Sequence, residues 1–146
     1  MKTQLLYSLV LGTLIGCGRE ADIRPGALPP ALEAAGTYRT NFYLDPSNVA
    51  LSAGQRSTVE LRAETDSTVT LAYTTVSPGR SVYQVTNVLV QRQADGLHLR
   101  AAGLDIGTLR TERIFLDNGM EKQGQLLHLI GVADANGLPA FAGYRP

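Results

Sequence analysis

The chain holds two histidines, His98 and His128, and one cysteine, Cys17. Metal binding, acid–base work and thiol chemistry are drawn from these residue types, so their spacing decides what is open to the protein. A zinc-type site needs three or four converging ligands, and the sequence contains no HxH or HxxxH pair. Each histidine stands between leucines, Leu97 and Leu99 or Leu127 and Leu129. On a strand each would face away from those neighbours, toward solvent. Both read as surface histidines without a metal. Asp105, Glu112 and Asp117 could supply a carboxylate pair for glycoside chemistry, but their spacing does not separate them from ordinary strand and turn carboxylates. There is no GxSxG motif and no phosphate-cradling glycine loop. The expectation is therefore no catalytic residue, no metal, no cofactor and no enzymatic activity.

The cysteine is placed differently. It closes the stretch MKTQLLYSLVLGTLIGC, in which Lys2 gives a positive start and Leu5 to Ile15 form a mostly apolar run. The run is shorter than the ~20 residues of a spanning helix and has the form of a secretory signal. Leu14-Ile15-Gly16-Cys17 resembles the lipobox of bacterial lipoprotein signal peptides: an aliphatic residue, a tolerant position, a small residue, then cysteine. The resemblance covers residues 1–17. It implies that Cys17 takes a lipid as a thioether and that cleavage falls between Gly16 and Cys17. The new N-terminus would usually carry a further acyl chain such as palmitate. Each buried methylene contributes about 0.8 kcal/mol, and two or three chains on one residue anchor a protein stably. Gly18, where aspartate would favour the inner membrane, points by the same resemblance to the outer membrane. The lipidated Cys17 would then hold the chain on the membrane, facing the periplasm.

Removing residues 1–16 leaves 130 of 146 residues, enough for one domain. The mature chain carries 12 basic against 13 acidic residues. That balance argues against nucleic acid and a polybasic membrane patch as partners. Lys122 is its only lysine, and its arginines are scattered from Arg19 to Arg145 without a run. With one thiol, expected to be lipidated, no intrachain disulfide can form.

The elements that would position any site follow from pattern. Residues 17–35, rich in proline, read as a tether after the lipidated cysteine, with one or two helical turns at Pro30–Ala35 before Gly36. Residues 36–146 read as a β domain. Tyr38, Thr40, Phe42 and Leu44 share one face of a first strand, with Arg39 and Asn41 on the other. Val59, Leu61 and Ala63, then Val69, Leu71 and Tyr73, alternate with polar residues and form a hairpin. Ser77-Pro78-Gly79-Arg80 reads as a plain turn in preference to a loop that displays Arg80 to a partner. Residues 81–93 are apolar on both faces, with Val82, Val88 and Val90 set against Tyr83, Val85 and Leu89. That suggests a central strand covered on both sides. Ala94-Asp95-Gly96 turns it into Leu97–Ala101. Further strands are expected at Gly103–Thr108, Glu112–Asp117, Gln125–Ala133 and Leu138–Tyr144, with turn signals at Asp117-Asn118-Gly119 and Asn136-Gly137.

These readings give an all-β domain: a single small antiparallel meander of about eight or nine strands, closed as a barrel or folded as a sandwich. The short helix, Gly36-Thr37-Tyr38 opening the first strand and the meander behind it resemble a lipocalin-type (calycin-like) barrel. Tyr38 stands where that family usually has tryptophan, and this chain has none. The resemblance implies a carrier of an apolar small molecule. The expected role is non-enzymatic binding or envelope assembly by a monomeric domain, with an envelope protein or an apolar ligand as partner. A small hydrolase is the remaining class.

Overall fold

Among the described residues, alternation of period two, broken by turn formers, produces eight strands after one short α-helix. The computed structural model describes residues 27–48, 51–76, 79–131 and 137–146. Gly16 and Cys17 lie outside the described residues, as do Ser77, Pro78 and Asn136. The elements are helix α1 (Pro30–Ala34) and strands β1 (Gly36–Arg39), β2 (Thr58–Ala63), β3 (Thr68–Thr75), β4 (Ser81–Gln93), β5 (Gly96–Ala101), β6 (Leu104–Phe115), β7 (Glu121–Leu129) and β8 (Phe141–Tyr144). Each strand pairs antiparallel with the next, and β8 pairs with β1, so the meander closes as a barrel. Of the two architectures open to the pattern, the barrel is the one formed. Among the described residues no helix is long and apolar enough to cross a membrane.

One contiguous apolar cluster fills the barrel. Val59 and Leu61 from β2, Val69, Leu71 and Tyr73 from β3, Leu97 and Leu99 from β5, and Leu127 and Leu129 from β7 are all buried in it. α1 plugs one end, with Ala31 and Ala34 fully buried in the same cluster. The small side chains let the helix backbone sit close against the strands. Its free polar groups are met by the barrel. Ala31 N–H donates to Asp66 O at 3.1 Å. At the other end Tyr38 Oη donates to Ala34 O at 2.7 Å, and Arg145 Nη1 donates to Ala35 O at 2.8 Å and Glu33 O at 3.3 Å. Arg92 pairs with the Glu33 carboxylate and donates to Leu28 O. The carbonyls that a helix C-terminus leaves orphaned are thus taken by side chains.

Five strands depart from the expected pattern. The first strand stops at Arg39 rather than running to Leu44. Asn41, expected outward, is fully buried. Its Oδ1 accepts the N–H groups of Tyr43 and Leu44, both at 3.1 Å, and its Nδ2 donates to Phe115 O at 2.7 Å. An asparagine side chain that bonds the backbone two and three residues ahead makes a turn, and this ends the strand.

In β4 the two apolar faces are the product of a bulge. The register passes from Val69↔Val88 to Leu71↔Val85, so Thr86 and Asn87 together oppose Thr70. Asn87 has φ +56°, a left-handed conformation that asparagine tolerates. The bulge reverses the parity of the strand, so Val85 and Val88 are both buried while Val82 is exposed.

The strands expected at Gly103–Thr108 and Glu112–Asp117 are one strand, β6, because nothing between them ends the ladder with β7. A second bulge, at Ile106, shifts its register against β5. Lastly, β7 begins four residues earlier than apolarity suggests, at Glu121, because pairing to β6 carries polar residues into the sheet. β8 is shortened to its last four residues, with Leu138 buried ahead of it. Close approach dictates one glycine in this pair: a Cβ on Gly107 would lie 2.5 Å from His128 O.

Burial pushes the Tyr38 phenol up to about 12 from 10.0, with the Arg145 charge opposing and the Glu33 charge assisting. Tyr73 is raised too, chiefly by burial. A phenol whose folded pKa exceeds its unfolded one contributes stability fully below pH 10, and that contribution is lost as pH rises toward about 12. Urea midpoints of the wild-type chain should therefore fall over this window. Tyr38→Phe should cost about 1 kcal/mol at pH 7, from the lost hydrogen bond, and should flatten the alkaline fall. An equally steep fall in the variant would mean that Tyr38 is not its source.

Candidate functional site

Because the side chains of neighbouring residues alternate across the sheet, the residues beside Tyr38, Val59 and Tyr73 face outward. Pairing sets three of them in one row, Arg39 of β1 opposite Thr58 of β2 and Thr58 opposite Thr74 of β3, and brings the buried Tyr144 of β8 opposite Arg39. The row contributes to the lining of a groove of about 570 Å³ on the outside of the barrel. Arg56 and Asp117 line it too, as do Arg80, Thr40 and Pro146.

Arg56 enters the groove just before β2. Its Nη1 donates to Asp117 Oδ1 at 2.5 Å and its Nη2 to Leu51 O at 3.4 Å, while its Nε is buried with no partner. Thr40 Oγ1 is likewise buried and unpartnered among the described residues. Buried polar atoms left without partners cost stability. Arg39, Arg56 and Arg80 therefore line one groove together with the Asp117 carboxylate, which pairs with Arg56.

The partners of the arginines set this groove apart. Arg56, Arg62, Arg92, Arg100, Arg110 and Arg113 each pair with a carboxylate. Arg145 is taken up by backbone carbonyls. Arg39 and Arg80 have no such partner among the described residues, and both line the groove. The sequence reading of scattered arginines missed this grouping. Arg39, Arg56 and Arg80 sit at a strand end, before a strand and in a turn, and only barrel closure brings them together. Of the three, Arg80 alone carried a signal, its place beside Pro78-Gly79.

The residues singled out for chemistry are not assembled into a centre. Asp105 pairs with Arg100 at 3.0 Å, Asp117 with Arg56, and no group of three or more metal-ligating side chains occurs among the described residues. His98 and His128 do share the outer face, on either side of Thr108 in one register row. Two strand spacings of about 4.8 Å separate their backbones by about 10 Å. His98 is half-buried rather than freely solvated. Its Nε2 lies 2.9 Å from Asp95 Oδ1, and Arg110 pairs with the other oxygen of that carboxylate. The His98 hydrogen bond, with the Arg110 charge adding to it, holds Asp95 below its ordinary value. His128 is exposed and, with Glu112, lines a small cleft of about 160 Å³. A third cleft, of about 360 Å³, is lined by Tyr73, Phe141, Thr40 and Ser57.

No protein family, no curated protein and no solved structure matches the chain.

Replacing His98 and His128 together by glutamine removes both imidazoles and keeps polar groups in their places. Stability by urea denaturation should stay within about 1 kcal/mol of wild type, since the His98–Asp95 contact is at the surface. A larger loss would give His98 a structural role that its single partner does not explain.

Proposed function

We propose that the chain is a bacterial lipoprotein, held on the periplasmic face of the outer membrane through lipidated Cys17, whose β domain has a non-enzymatic binding or envelope-assembly role. The lipobox-like Leu14-Ile15-Gly16-Cys17 supports the anchor. The observation that carries the binding role is the filled barrel. The interior holds one contiguous apolar cluster, so the outer surface is what the domain presents to partners. Arg39 and Arg80, which have no carboxylate or carbonyl partner among the described residues, lie on that surface. The carboxylates a hydrolase would use stand apart, and two of the three are paired to arginines.

The lipocalin-like carrier reading draws support from the helix-plugged meander barrel and from the cleft beside Tyr73 and Phe141. It needs a dry cavity where the leucines and valines of the cluster now sit.

Mass spectrometry of the protein extracted from membranes should show a chain that begins at Cys17 and is heavier than its sequence by the attached lipid. Cys17→Ser should leave the signal uncut and the chain unlipidated. Cleavage elsewhere, or an unmodified thiol, would end the lipoprotein reading. An apolar fluorescent probe titrated into the native chain should not be taken up. Saturable uptake at one site would favour the carrier.

A further inference from the structure

We infer that the groove over Tyr144, Arg39, Thr58 and Thr74 is a phosphate-binding site, taking a phosphorylated small molecule or headgroup between Arg39 and Arg80. The inference deepens the proposed binding role and rests on that reading. It does not depend on the anchor.

Three lines of chemistry converge on it. First, the two arginines without carboxylate or carbonyl partners among the described residues line one groove, although the other described arginines each have such a partner. Guanidinium is the side chain best matched to oxyanions, through its planar fork of donors.

Second, the floor adds hydroxyl donors. Thr58, Thr74 and Tyr144 lie in register with Arg39 and line the same space. A carboxylate has two oxygens, and one bidentate arginine satisfies it. A phosphate has three or four oxygens and uses the additional hydroxyls and the second guanidinium. The donor set therefore fits phosphate better.

Third, the groove's polar lining is incomplete among the described residues. Thr40 Oγ1 and Arg56 Nε are buried at its edge without partners. Arg56 is itself held by Asp117 and Leu51, which leaves Arg39 and Arg80 as the pair without such partners among the described residues. The volume of about 570 Å³ exceeds what a lone phosphate fills and lies in the range of small-ligand sites. It leaves room for the organic group that bears the phosphate.

The test uses the full chain in nonionic detergent at fixed ionic strength, with binding read by calorimetry and by NMR shifts of Thr58, Thr74 and Tyr144. The probes are inorganic phosphate, acetate and short-chain phosphatidylglycerol below its micelle concentration. Phosphate should bind saturably, and acetate about tenfold more weakly or worse. Arg39→Gln/Arg80→Gln should weaken phosphate binding by about tenfold or more with an unchanged melting temperature. Arg80→Gln alone, outside the strand ladder, repeats the test if the double variant is unstable.

Equal affinity for phosphate and the phospholipid supports a free phosphorylated molecule, and tighter binding of the phospholipid supports a lipid headgroup. No saturable binding of either probe, acetate as tight as phosphate, or affinity untouched by the variants overturns the inference. A lipidated Cys17 with no phosphate binding would sink the groove and leave the anchor standing. Phosphate binding with an unlipidated Cys17 would do the reverse.

Discussion

The barrel depends on a seam that its own ladder barely closes. β8 and β1 meet at a single register pair, Arg39↔Tyr144, whereas β6 and β7 share nine. What completes the closure is the helix. Its C-terminal carbonyls, from Glu33, Ala34 and Ala35, are bonded by Arg145, just past β8, and by Tyr38, in the middle of β1. The same groups therefore cap the helix and tie the first strand to the end of the last. Arg145 N–H also reaches Gln125 O on β7 at 3.2 Å. A buried carbonyl left unpaired costs about 1–3 kcal/mol, so helix packing and barrel closure stand or fall together. Deprotonating a buried Tyr38 acts on both at once.

The two bulges follow from the same closure. Rolling a sheet into a barrel requires stagger and local bending, and bulges supply them. The bulge at Thr86–Asn87 turns a strand that would waste half its valines on solvent into one that buries Val85, Val88 and Val90. The bulge at Ile106 places that side chain fully inside. Turned inward, these residues join the apolar cluster of the interior.

On the outer surface the charges are mostly cancelled in pairs. Exposed pairs of this kind contribute little to stability, but they remove charge that could attract a ligand. The groove over Arg39 is where the cancellation fails. Its positive groups come from a strand end, the approach to β2 and the β3–β4 connection, so they sit at the rim, where loops can place them without disturbing the core.

The sequence alone determined the all-β class, the hairpin of Val59–Ala63 with Val69–Tyr73, and the inward leucines of β5 and β7. Period-two patterning is local, and half-buried strands must carry it. It also carried the lipobox-like stretch ending at Cys17, a processing pattern that is read along the chain. Barrel over sandwich, the parity reversal at Asn87, the end of β1 at Asn41 and the fusion of two expected strands into β6 were decided by pairing between distant residues. So was the arginine groove. Arg39 and Arg56 are unremarkable in sequence and Arg80 is marked only by its turn, because the meeting of the three depends on register across β8, β1, β2 and β3, and register is a property of the closed sheet.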